Sequence, residues 1–182
     1  MKTKSMIPFD QFDSFVEDLL GEKSDRTVVI IGASKVDDML FRILIKHLLP
    51  KISGAKDDLL EGDQPIGTFS SRIKLVYRLG IVDRKLFHLL DQIRKIRNRS
   101  AHELEFHIKK PPTRDHLLQV KSELILRPSF ILSKQRYFNN VFNTDTEELQ
   151  CIFVSLCVVL EAIHAKIKTT KGMKHSIEIS KK

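Results

Sequence analysis

The chain has 182 residues, enough for one domain with a real core, and its 42% apolar and 30% charged residues exclude a disordered chain. Only 7 Gly and 6 Pro argue against a turn-rich β architecture. The net charge of +8 favours an anionic partner such as nucleic acid without requiring one, and the two cysteines, Cys151 and Cys157, exclude a disulfide scaffold and fit a reducing cytoplasm.

The first twelve residues, MKTKSMIPFDQF, lack the continuous apolar stretch of a signal peptide. No segment offers the roughly 18 uninterrupted apolar residues of a bilayer span, so no membrane contact is expected. From Phe9 to Leu20, apolar residues at Phe12, Phe15, Val16, Leu19 and Leu20 have helical spacing, and Gly21 is a natural stop. The stretch Thr27–Leu49 is apolar almost all round and predicts a buried central helix ending at Pro50. Its β-branched start resembles a strand, but the 3–4 spacing of Val29, Ala33, Val36, Leu40 and Leu44 decides for helix.

The segment SGAKDDLLEGDQPIG reads as a loop with a short helical turn. A helix capped at Thr68 or Ser70 follows and closes at Gly80. Asp83 caps the next helix, which runs to about His102. Pro111 and Pro112 break the pattern, and Thr113 or Asp115 starts a helix to about Leu124. LILRPSFILSKQRYFNN reads as mostly irregular. A long last helix starts at Thr144, with Glu147 in capping-box spacing. The expected fold class is therefore all-α: a single compact domain of about six or seven helices over residues 1–168, with a flexible basic tail at 169–182.

No Gly-rich phosphate loop, CxxC pair or HExxH is present, so no cofactor and no metal site is expected. Cys151 and Cys157 lie among Ile, Phe, Val and Leu and read as core thiols. The helix–Gly–helix pattern around Gly80 resembles a helix-turn-helix. Its second helix, however, commits Leu86, Leu89, Leu90, Ile93 and Ile96 to the core and leaves a modest basic face.

The end of that helix, LLDQIRKIRNRSAHELEF, concentrates the polar chemistry. Leu86, Leu90, Ile93, Ile96, Ala101 and Leu104 fall in one apolar arc, with Arg97 near its middle. A guanidinium there must meet an acid, a ligand or a solvated cleft. Arg94, Asn98 and His102 form an i, i+4, i+8 row beside it, in which Asn98 could set the His102 tautomer. Arg99 and Glu103 have the spacing of a plain surface pair. On the central helix, Asp37 is the matching misfit among Ile30, Ala33, Leu44 and Leu48. The expectation is a structural ion pair between Asp37 and Arg97, beside a functional surface made by Arg94, Arg97, Asn98 and His102.

Residues 62–102, GDQPIGTFSSRIKLVYRLGIVDRKLFHLLDQIRKIRNRSAH, resemble the signature of the mannitol operon repressor (MltR) family. In that family a Gly/Pro loop precedes an FSxRIKLAYxLGLI helix, and a second helix ends in IRKIRNxFAH. Asp37 and Asp38 match the acidic pair of its central helix, and the similar core covers about residues 9–105. Here Arg99 and Ser100 stand in place of the usual acidic–aromatic pair. The resemblance implies a cytoplasmic regulatory protein, a negative regulator of transcription of the sugar-operon type. It also implies no obvious DNA-binding domain and action through protein contacts; a homodimer and, from the net charge, nucleic acid are further expected partners. Arg97-Asn98 followed by His102 also resembles the motif of HEPN-type ribonucleases. That similarity implies a metal-independent endoribonuclease, in which the imidazole moves a proton and the guanidinium steadies the phosphate. The alternative catalytic set is then Arg97, His102 and Asn98.

Overall fold

The computed structural model describes residues 9–51 and 57–172 and shows seven helices: α1 (Phe9–Gly21), α2 (Asp25–His47), α3 (Phe69–Arg78), α4 (Arg84–His102), α5 (Thr113–Leu124), α6 (Pro128–Phe138) and α7 (Asp145–Lys166). Among the described residues there is no strand, and the helices enclose one core. Residues 1–8, 52–56 and 173–182 lie outside the described residues, and with them most of the expected basic tail.

Capping side chains set the helix starts as the sequence implies. Ser24 accepts from the Thr27 N–H and starts α2 two residues earlier than expected. Thr68 and Ser71 form a reciprocal capping box on α3. The Asp83 carboxylate accepts from Leu86 at 2.7 Å and opens α4, and Thr144 opens α7. α2 ends at His47, before the expected Leu49, because Pro50 disfavours helical backbone in the residue preceding it and Leu48 is already extended. Thr169 then donates to the Lys46 carbonyl at 2.9 Å, and the Thr170 N–H donates to that of His47 at 2.7 Å. The chain after α7 thus satisfies carbonyls that the end of α2 leaves open.

Residues 128–138, read as mostly irregular, are helical. α6 buries Ser129, Phe130 and Ser133 and lays Tyr137 and Phe138 half-buried against the core, so serines interrupt its apolar face. Pro128 starts it, Asn139 ends it in the left-handed conformation (φ 48°), and the Ser129 hydroxyl meets that of Ser155 on α7 at 2.9 Å.

The core is built on α2 against α7, the most extensive helix pair. Leu149 to Cys157 of α7 are buried without a break. α7 is also long and apolar enough to cross a membrane by length and composition, with a hydropathy of 1.7 over 18 residues; counting uninterrupted apolar runs missed this. In this fold 56% of that window is buried against the other helices. Gly32 lets α2 and α7 approach, since a Cβ there would lie 2.3 Å from the Phe153 ring.

Candidate functional site

On its other side α2 faces α3 and α4, and here the packing stays open. A cleft of about 360 Å³ lies between them. α2 contributes Ala33, Ser34 and Asp37; the start of α3 contributes Gly67, Thr68, Phe69 and Ser70; α4 contributes Arg94, Arg97 and Asn98.

The loop before α3 is shaped for this role. Gly62 has φ +64°, and a Cβ on Gly67 would lie 1.9 Å from the Gly62 carbonyl oxygen, so the backbone folds on itself just before the Thr68 cap. Asp57 braces the same loop by accepting from Leu59 and Leu60 at 2.9 and 3.0 Å.

The expected Asp37–Arg97 pair is not the one formed. Asp37 accepts from Arg72 of α3 at 2.8 Å. Arg72 also donates to the Leu60 carbonyl at 2.9 Å and lies over the Phe41 ring, 5.0 Å from its centroid. Its side chain is only 12% exposed, so Asp37 compensates a nearly buried charge and ties α2 to α3. Burial pushes the Asp37 carboxyl above its ordinary value; the Arg72 hydrogen bond and charge, then the Arg97 charge, draw it back only in part. Arg97 therefore reaches Asp37 through its field and not through contact.

Arg72 carried a readable signal. It lies beside Val76 at the edge of the apolar face that Phe69, Ile73 and Val76 make on the α3 wheel, a charge bordering the core.

Arg97 is exposed although its wheel position is central. The buried stripe of α4 is Leu86, Leu89, Leu90, Ile93, Ile96 and Ser100, while Ala101 and Leu104 are exposed. Of the three environments a guanidinium could find there, the solvated cleft is the one present. Its nearest hydrogen-bond partner is the Asn98 amide oxygen at 3.5 Å.

Arg94 is held by Asp91, with Nε and Nη2 at 2.9 and 2.7 Å from Oδ1, and Lys95 reaches the other oxygen at 3.0 Å. Burial pushes the Asp91 carboxyl up, but hydrogen bonds from Arg94 and Lys95 outweigh it and hold it below its usual range. Arg99 pairs with Glu103 at 2.6 Å as its spacing implies, and also donates to Thr113, linking α4 to α5.

The structure brings Arg94, Arg97 and Asn98 to one cleft and leaves His102 outside it, exposed at the end of α4. Asn98 makes no hydrogen bond to His102 among the described residues, so it does not set that tautomer. The helix is regular through His102, with the Ser100 hydroxyl donating to the Arg97 carbonyl at 2.8 Å. Five residues of regular helix place Arg97 and His102 about 140° apart. One chain thus does not aim both groups at one phosphate.

The seven helices of the described residues, built around an α2–α7 core, make an all-α fold shared with two solved structures. The chain is similar to the protein in the X-ray structure of the MtlR–HPr complex from Escherichia coli: TM-score 0.57, 17% identity, covering 85% of this chain and 98% of that one. It is similar also to a possible transcriptional regulator, YggD, from Shigella flexneri: TM-score 0.57, 14% identity, covering 84% and 96%. No family sequence model matches the chain, and neither does any curated protein sequence.

Proposed function

We propose that this chain is a regulatory protein of the mannitol operon repressor type, which acts by holding a protein partner at the cleft between α2, α3 and α4. The observation that carries the reading is the fold shared over 85% of the chain with a protein solved in complex with HPr. The cleft supplies fitting chemistry. Among the described residues Arg97 has no carboxylate within ion-pair distance, and Asn98, Ser34 and Ser70 add uncharged polar groups around it. Such donors suit the carboxylates and carbonyls of a partner surface, where Arg is a common anchor. Occupancy of the cleft would report the partner to the transcription machinery, and the regulation is negative.

The test is calorimetric titration of the chain with HPr, using wild type and a triple variant, Arg94→Ala/Arg97→Ala/Asn98→Ala. Binding by the wild type and at least tenfold weaker binding by the folded variant are expected. Equal binding by both would remove the cleft from the contact, and no binding by either would remove an HPr-type partner. Incubation with mixed RNA in chelator should leave it whole. Cleavage that disappears in His102→Ala would replace the regulator reading with a nuclease.

A further inference from the structure

The opposite end of α4 carries a second feature, independent of the cleft. Where α3 turns into α4, Lys74, Tyr77 and Arg78 on the first helix and Arg84, Lys85 and His88 on the second are all exposed. Ring contacts join them into one surface. Tyr77 lies 4.8 Å from Phe87, Phe87 lies 5.4 Å from His88, and Arg84 Nε donates to His88 Nε2 at 3.3 Å. Lys74 lies one helical turn before both Tyr77 and Arg78 on α3.

None of the four cations, Lys74, Arg78, Arg84 and Lys85, pairs with a carboxylate among the described residues. Further along α4, Arg94, Lys95 and Arg99 each have one, and Arg97, in the cleft, has none. Asp83, the acid within the corner, already serves as the α4 cap. The inner faces of both helices are spent on the core through Ile73, Val76, Leu86, Leu89 and Leu90.

We propose that the α3–α4 corner binds the phosphate backbone of nucleic acid. Guanidinium forks and lysine charges match phosphate oxygens, and an exposed aromatic among them offers a surface for an unpaired base. The outer face carries this chemistry while the inner stripe stays buried. α4 therefore cannot enter a major groove as a recognition helix, and the contact reads backbone rather than sequence.

The experiment is fluorescence anisotropy of the full chain with labelled duplex DNA and, separately, labelled single-stranded RNA, each of two unrelated sequences. Four phosphate contacts predict that affinity falls about 50- to 150-fold between about 50 and 200 mM salt, with little difference between sequences. A Lys74→Gln/Arg78→Gln/Arg84→Gln/Lys85→Gln variant should keep the wild-type melting temperature and lose at least tenfold in affinity and most of the salt dependence. Binding in either arm with that loss supports the proposal, and further weakening of the RNA arm alone by Tyr77→Ala assigns the single strand. No binding at the lower salt, or an unchanged affinity in the folded variant, overturns it. Polyglutamate competing as well as nucleic acid at equal charge would also overturn it, by assigning the corner to acidic proteins.

Discussion

The two sides of α2 differ more than their sequence neighbourhood suggests. Toward α7, Gly32 lies against a fully buried Phe153, and the polar contacts, Asp25 with Thr146 and Lys46 with the His164 carbonyl, fall at the two ends of the pair. Within two turns, Ser34 and Asp37 face a cleft that the α3 and α4 side chains leave open. One side is fixed by shape, where any added atom is a clash. The other is fixed by charge, through Asp37 and Arg72, and leaves room beside them. A helix apolar almost all round can therefore serve as core and as the wall of a site. The close packing on one face supplies the rigidity that the other needs.

Breaking the packed side should have the largest effect. Gly32→Leu would drive a side chain into the Phe153 ring, and more than about 3 kcal/mol of destabilisation is expected, beyond the usual range for an overpacked core. Denaturant unfolding measures it. On the open side, Asp37→Ala strands Arg72, whose side chain is 12% exposed. A loss of about 2–3 kcal/mol is expected, below the range for fully buried pairs because Asp37 keeps some contact with water. Arg97→Ala should leave the stability of the fold essentially unaffected. Gly67→Ala lies between these cases: its Cβ would meet the Gly62 carbonyl, and about 1–2 kcal/mol should be lost as the loop shifts and the cleft changes shape.

The helices were largely legible because caps and apolar periods agree. Ser24 aside, the side chains that start α3, α4 and α7 are those the sequence singles out. α6 was not legible, because serines interrupt the face made by Phe130, Tyr137 and Phe138, and Ser129 finds its partner at Ser155, 26 residues away. The cleft was legible in part. Asp37 is a partly buried charge that pairs with Arg72, whereas Arg97 is exposed; each was matched to the other because both stood out on their helical wheels. The wheel of α3 held Arg72 at the edge of its apolar face. Only three-dimensional packing shows that it lies nearer Asp37, and that α4 faces open space at Arg97 rather than the core.

The smallest effect concerns pH. Burial, then the charges of Lys95 and Arg99, hold His116 below its ordinary value. The folded state thus resists protonation. Its contribution to stability is complete above the unfolded value near 6.5 and is lost as pH falls through that value toward the lower folded one. His164 shifts in the same direction, mainly through burial. Melting temperature measured from about pH 7.5 down to about pH 5 should fall less in His116→Gln than in wild type. Identical pH profiles would contradict this assignment.

Hydrogen–deuterium exchange of the chain with and without HPr tests the central claim most directly. The account predicts added protection at residues 67–71 and along the last two turns of α4, around Arg94, Arg97 and Asn98, with none at the α3–α4 corner or over α6. Protection confined to α6 and α7, with the cleft unchanged in a complex that demonstrably forms, would contradict it.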